Sequence, residues 1–227
     1  MSRSRIALLS LGGSLVVPNG IDTRYLKKFS DFIHRNLRSW RFIVVVGGGR
    51  TARAFQAAVR GLGVADHKGM DWMGLYASRL NAQLVRLVFS KYAHPAVLTD
   101  PLFPPKFQEA ILVAAGYKPG RSTDWVAVKL AQHYGAKKVI NLTNIDHVYD
   151  RDPRKSRNAK PLKNISWTIY RKIAGSRWSP GLSLPFDPVA SKLAQSEGIE
   201  VDIINGKKLQ QVQRALEGKA FKGTRIF

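Results

Sequence analysis

Short apolar runs that read as β-strands alternate along this chain with segments whose apolar residues recur at helical spacing. That alternation narrows the fold to an open, mostly parallel sheet with helices on both faces. Residues 6–11 (IALLSL), 42–46 (FIVVV), 96–99, 110–115, 138–142 and 199–204 read as strands, and 224–227 as a closing strand. Helical spacing runs over 22–37, where Tyr25, Leu26, Phe29, Ile33 and Leu37 share a face. It recurs over 51–59, 71 to about 90, 122–134, 188–195 and 207–216. Ser122 stands where it caps the helix that follows it. The expected fold class is α/β, a three-layer α/β/α sandwich with a mostly parallel open sheet. With 227 residues the chain can bury a core as a single domain over 1–227. Residues 175–185 (GSRWSPGLSLP) combine Gly, Pro and Ser and read as a mobile loop.

Glycine-bearing loops follow the first strands: Gly12-Gly13-Ser14, then Gly47-Gly48-Gly49-Arg50-Thr51, then Gly116 through Asp124 (GYKPGRSTD). In sheets of this kind ligands bind outside the carboxyl ends of the strands. Glycine lets backbone approach an anion closely, and the N–H groups that open a helix point toward it. Arg50, Arg53, Lys118 and Arg121 lie in or beside these loops, as bringing two phosphate groups together requires. The chain has neither GxxxxGK[ST] nor a GxGxxG after its first strand, which excludes a P-loop and disfavours a dinucleotide-binding Rossmann domain. Other readings of single residues stand beside these: Asp71 as a helix N-cap, Asn144 and Asp146 as turn residues, Tyr149 as core.

There is no cysteine, so disulfides, thiolate metal ligands and thiol catalysis are excluded, and the five histidines form no ligand cluster. No metal-ligating residue set is expected. The apolar run that opens the chain ends at Gly12-Gly13 and is too short for a signal peptide. No stretch approaches the roughly 18–20 apolar residues that span a bilayer. A cytoplasmic protein without membrane contact is expected. Lys and Arg number 37 against 15 Asp and Glu, a formal net charge of +22, thickest between Arg151 and Arg177. Such a surface can attract polyanions, but most of these residues read as a solvated surface, and nucleic acid is not an expected partner although the charge would admit one.

The segments LGGSLV (11–16), VVVGGGRTAR (44–53), DWMGLYASRLNA (71–82), GYKPGRSTD (116–124) and LTNIDHVYDRDP (142–153) together resemble the amino-acid-kinase superfamily, and within it the archaeal-type UMP kinases. DPVASK (187–192) and the terminal GTRI (223–226) fit the same resemblance, which runs nearly end to end. It implies a Mg²⁺-dependent transfer of the ATP γ-phosphoryl to UMP, in pyrimidine nucleotide (CTP) biosynthesis. It also implies an acceptor lobe over about 1–137, an ATP lobe over about 138–227, and a homohexamer. Carried over by position, Gly12, Gly13, Ser14, Gly49 and Arg53 would hold ATP phosphates, and Thr143, Asn144, Tyr149 and Asp152 the rest of ATP. Gly48, Asp71 and the run Tyr117, Lys118, Pro119, Gly120, Arg121, Ser122 and Thr123 would hold UMP. Arg50 and Asp124 are the expected catalytic residues, Asp124 as an organiser at a helix start, where it would also complement the helix dipole.

This chain departs from the family pattern at three places. Ser10 stands where many members carry lysine, His147 where glycine is usual, and Tyr117 where threonine is usual. A glycine site that requires φ > 0 would strain His147. Two alternatives stand beside UMP kinase activity: the same fold acting on a carboxylate, carbamate or isoprenoid phosphate, or a non-catalytic nucleotide-sensing or RNA-associated protein.

Overall fold

The computed structural model describes residues 5–64, 66–153, 155–175 and 184–227. In chain order its elements are β1 (Arg5–Leu11), α1 (Gly13–Val16), α2 (Thr23–Asn36), β2 (Trp40–Val46), α3 (Gly49–Gly61), α4 (His67–Val88), β3 (Ile111–Ala114), α5 (Thr123–Tyr134) and β4 (Lys138–Thr143). There follow β5 (Val148–Tyr149), β6 (Pro161–Leu162), β7 (Asn164–Ile165), α6 (Trp167–Ala174), α7 (Pro188–Ser196), β8 (Glu200–Asn205), α8 (Leu209–Leu216) and β9 (Thr224–Ile226).

Among the described residues seven strands form one sheet in the order β3-β2-β1-β4-β8-β9-β7, and β5 and β6 form a separate hairpin. Every pairing in the large sheet is parallel except β8 with β9. The mostly parallel α/β/α sandwich is therefore as expected. Its helices cover both faces because the central strands are apolar on both. Leu9, Leu11, Phe42, Val44 and Val46 enter one core with α2, α4 and α8, while Leu8, Ile43 and Val45 enter a second with α5, α6 and α7. The boundary expected near residue 137 falls between β1 and β4, which are neighbours in the sheet. Asp202, fully buried in β8, forms an ion pair with Lys138 at 3.2 Å and accepts from Arg225 Nε at 2.9 Å, fastening β8 to both strands beside it.

Several elements differ from the sequence reading. The strand expected over 96–99 is reduced to a single bridge, Leu98 with Ala114. The helix expected from residue 71 begins at His67, so Asp71 lies inside it and caps nothing. The short α1, the strands β5, β6 and β7, and α6 have no counterpart in the sequence pattern. No non-glycine residue among those described has a positive φ, so the condition that would strain His147 is not met. Of the loop expected over 175–185, residues 176–183 lie outside the described residues.

Candidate active site

Four adjacent parallel strands, β3, β2, β1 and β4, end on the same edge of the sheet, and the glycine loops begin there. They enclose a cleft of about 430 Å³. The loops touch each other so closely that side chains are excluded. A Cβ on Gly13 would collide with the Gly47 carbonyl and the Gly49 nitrogen, and one on Gly49 with the Gly13 carbonyl. Gly49 also has φ +61°, where L-residues are strained. A Cβ on Gly12 would stand 2.7 Å from the Leu142 carbonyl oxygen. Two helices start at this cleft. Gly49 opens α3 and Thr123 opens α5, so the positive ends of both helix dipoles face the same space.

Side chains of α4 pin the loops from behind. Ser78 Oγ donates to the Val46 carbonyl at 2.6 Å and accepts from Gly116 N at 2.9 Å. Asn81 Nδ2 donates to the carbonyls of Gly47 at 2.9 Å and Gly48 at 3.0 Å. Arg79 donates to the Gly116 carbonyl at 3.2 Å and the Tyr117 carbonyl at 2.9 Å. Asp71 Oδ2 accepts from Gly120 N at 2.8 Å. Ser78 and Asn81 are buried, and each of these bonds satisfies a loop group that would otherwise be costly to enclose. Neither residue stands out in the sequence. The available signal is spacing, since Asp71, Gly74, Ser78 and Asn81 recur on one helical face.

At the start of α5 the cleft wall carries the Asp124 carboxylate, with the buried Asp187 behind it. Asp124 Oδ1 accepts from Ser10 Oγ at 3.3 Å, and its Oδ2 from Asp187 N at 3.2 Å. The Asp187 carboxylate accepts from Val189 N at 2.6 Å and Ala190 N at 3.1 Å, capping α7, and from the Ser122 hydroxyl. Ser122 in turn accepts from Trp125 N at 3.0 Å, capping α5 as expected. Burial, and then the charge of Asp187, push the Asp124 carboxyl up to about 7, against the pull of its two hydrogen bonds. Asp187 is also raised, by burial first. In the sequence only its membership of the DPVASK segment points to it.

Of the residues expected at the site, the cleft brings together Gly12, Gly13, Ser14, Gly48, Gly49, Arg53, Asp71, Lys118, Arg121, Ser122, Thr123, Asp124, Thr143 and Asn144. Arg50, Tyr117, Pro119, Gly120, Tyr149 and Asp152 are not on its walls. Arg50 turns away, Nη1 donating to Asn19 Oδ1 at 2.7 Å. The Tyr117 ring stacks on Trp125 with centroids 6.2 Å apart. Tyr149 lies in the β5–β6 hairpin opposite Pro161, and the Asp152 carbonyl accepts from Lys155 and Ser156 N, both at 3.0 Å. Asp146 is not a bare turn residue. It accepts from Asn205 at 2.9 Å and Lys208 at 2.7 Å, tying the loop after β4 to the loop after β8. The cleft thus gathers two helix N-termini, the cations of Arg53, Lys118 and Arg121, and the Asp124 carboxyl at the start of α5, poised near neutrality. That arrangement can hold two anionic groups close together.

Residues 5–205 match the model of the amino acid kinase family. The uridylate kinase of Pyrococcus abyssi is 33% identical over 228 residues, covering 96% of this chain and 98% of the relative. The uridylate kinase of Methanospirillum hungatei is 34% identical over 222 residues, covering 96% and 93%. The crystal structure of uridylate kinase from Archaeoglobus fulgidus shares the fold with a TM-score of 0.83 at 31% identity, covering 98% of this chain and 100% of that one.

Proposed function

The chain belongs to the amino acid kinase family, and from that premise we propose that it is a UMP kinase, transferring the γ-phosphoryl of ATP to UMP to give UDP and ADP. The observation that carries this reading is the convergence of the strand-end glycine loops, two helix N-termini and three cationic side chains on one cleft. Full-length relatives named uridylate kinase favour UMP as the acceptor.

In this reading Gly12, Gly13, Ser14, Gly49 and Arg53 hold the ATP phosphates, and Thr143 and Asn144 lie beside them, with Tyr149 and Asp152 toward the nucleoside. Asp71 accepts hydrogen bonds from the UMP ribose hydroxyls, and the run from Tyr117 to Thr123 holds the UMP phosphate through Lys118 and Arg121. Transfer is in line. The acceptor phosphate is already ionised at neutral pH, so the protein need not remove a proton from it. Loop amides and Arg53 stabilise the charge that spreads over the phosphoryl oxygens in transit.

Asp124 is the organiser. Its carboxyl lies short of counter-charge, so a cation arriving with ATP favours its ionised form and is held by it. Among the described residues no three His, Asp or Glu side chains converge as a ligand set, so Mg²⁺ fits here as an ion carried by the ATP phosphates, with Asp124 beside it. Bound there, it neutralises phosphate charge. Self-association belongs to the same reading. Phe55, Leu62, Tyr76 and Leu80 on α3, its C-cap and α4 are exposed, Leu62 to 80%, an apolar surface that favours contact with a second copy, as in the proposed homohexamer. Among the described residues no helix is long and apolar enough to cross a membrane.

A coupled ADP-release assay with Mg²⁺·ATP and a panel of nucleoside monophosphates tests the proposal. UMP is expected to be preferred at least about tenfold. Asp71→Ala and Arg53→Ala are each expected to lower kcat/KM about a hundredfold, as removing a charge-assisted hydrogen bond to substrate does. Equal turnover of CMP or AMP would defeat the acceptor assignment.

A further inference from the structure

A second cavity, of about 780 Å³, opens between α8, the turn before β9 and the start of β7. No residue lines both this cavity and the cleft. Its wall carries Lys163, Arg214, Lys222 and Arg225, and among the described residues no carboxylate lines it. Most of these cations are braced from behind. Arg225 donates to Asp202 at 2.9 and 3.3 Å, and Arg214 Nε to the Ala220 carbonyl at 2.5 Å. Lys222 N donates to Gln211 Oε1 at 2.7 Å, with its ammonium 3.8 Å from Asp146. Lys163 is exposed, and its ammonium makes no hydrogen bond or ion pair among the described residues.

Basic residues are common on this chain, so charge alone would not single out the cavity. His147 does. It lines the cavity at 8% exposure, and its Nδ1 is buried with no hydrogen-bond partner. Buried polar nitrogens are rarely left so, and each one calls for a cause. A cation-rimmed hollow with an imidazole in its wall is complementary to a compact anion whose charge meets the rim while its oxygens approach the ring.

We infer that this cavity is a second anion site, separate from the cleft, that binds a phosphate-bearing small molecule through Lys163 and Arg214 with His147 in its wall. Its cations gather around one hollow with a single phenyl ring, Phe221, whereas a surface that tracks a polynucleotide backbone needs an extended groove with several stacking aromatics.

The test follows the His147 ring resonance by NMR, assigned with His147→Gln, while inorganic pyrophosphate is titrated into the full chain. The wild-type resonance is expected to move and saturate. In Lys163→Ser/Arg214→Ser the midpoint is expected to rise about a hundredfold, tenfold for each charge-assisted hydrogen bond removed. Both side chains are exposed, so the variant keeps its fold, which the unchanged resonances of the other histidines verify. A His147 resonance that stays still throughout the titration, or a variant that titrates like the wild type, overturns the inference. So does an RNA oligonucleotide that moves the resonance at lower concentration than pyrophosphate, because the site would then be a nucleic-acid surface.

Discussion

On the side of β1, β2 and β3 the cleft wall is backbone, pressed glycine to glycine and pinned by Ser78, Arg79 and Asn81 of α4. On the side of α5 it is the Asp124 carboxyl, backed by Asp187 behind the wall, with Ser10 and the Asp187 amide as its hydrogen-bond partners. The first wall is specified by shape, through glycine backbones that carry no titratable group. The second is specified by charge, and its state changes near neutral pH. In the proposed reading the two tasks are separate: rigid amides would fix where anions lie, and the carboxyl would answer to the cation that comes with them.

Steric damage to the backbone wall should therefore be the most severe. Gly49→Ala puts a methyl against the Gly13 carbonyl at a φ of +61°. It is expected to cost about 3 kcal/mol or more in denaturant unfolding and to abolish turnover. A stable, active Gly49→Ala would mean the loops are not in contact.

Damage to the carboxyl wall should read out differently. Asp124→Asn is expected to lower kcat about a hundredfold while raising stability at alkaline pH. The native carboxyl titrates at about 7, above its unfolded value, so between roughly pH 4 and 7 the native state keeps a proton that the unfolded state has released. Stability therefore falls as pH rises through that window and levels off above it. Asp124→Asn removes its share of the decline and should exceed the wild type at pH 8 by about 2–4 kcal/mol in urea melts. Wild-type stability that rises across the same window would contradict the assignment.

Substitution of the α4 pins should cost less. Asn81→Ala leaves two loop carbonyls short of a donor and should destabilise by about 1–3 kcal/mol, with no change in the pH profile. Arg50→Ala should be mildest, below about threefold in kcat/KM, because its side chain is engaged with Asn19 away from the cleft. A loss as large as that of Arg53→Ala would place Arg50 in the cleft during turnover.

The two walls also differ in how far they can be read from sequence. Glycine at strand ends announces the backbone wall, because Gly12, Gly13 and Gly47 through Gly49 follow β-branched or aliphatic runs, and their repetition outweighs the reading of any one pair as a simple tight turn. What pins that wall is hidden. The bonds of Ser78 and Asn81 join residues more than 30 positions apart, and on a helix both look like ordinary polar residues. Asp187 is obscure for the same reason, meeting Asp124 only through the packing of α5 on α7. Beyond β4 local signals weaken further. The two-residue strands β5, β6 and β7 exist through their partners, and α6 is amphipathic over only 8 residues, with Trp167 and Tyr170 buried. The opposite error at 96–99 has a like cause: an apolar run needs a full partner strand to become one, and Leu98 finds a single bridge.

Phosphoryl transfer between ATP and UMP requires that one cleft hold two nucleotides end to end. A bisubstrate analogue joining adenosine and uridine through a polyphosphate chain probes this requirement, by inhibition kinetics against each substrate in turn. Competition with both ATP and UMP, at one analogue per chain, is the expected result. An analogue that competes with only one of them, or that binds as two copies per chain, would show that the nucleotides do not share the cleft.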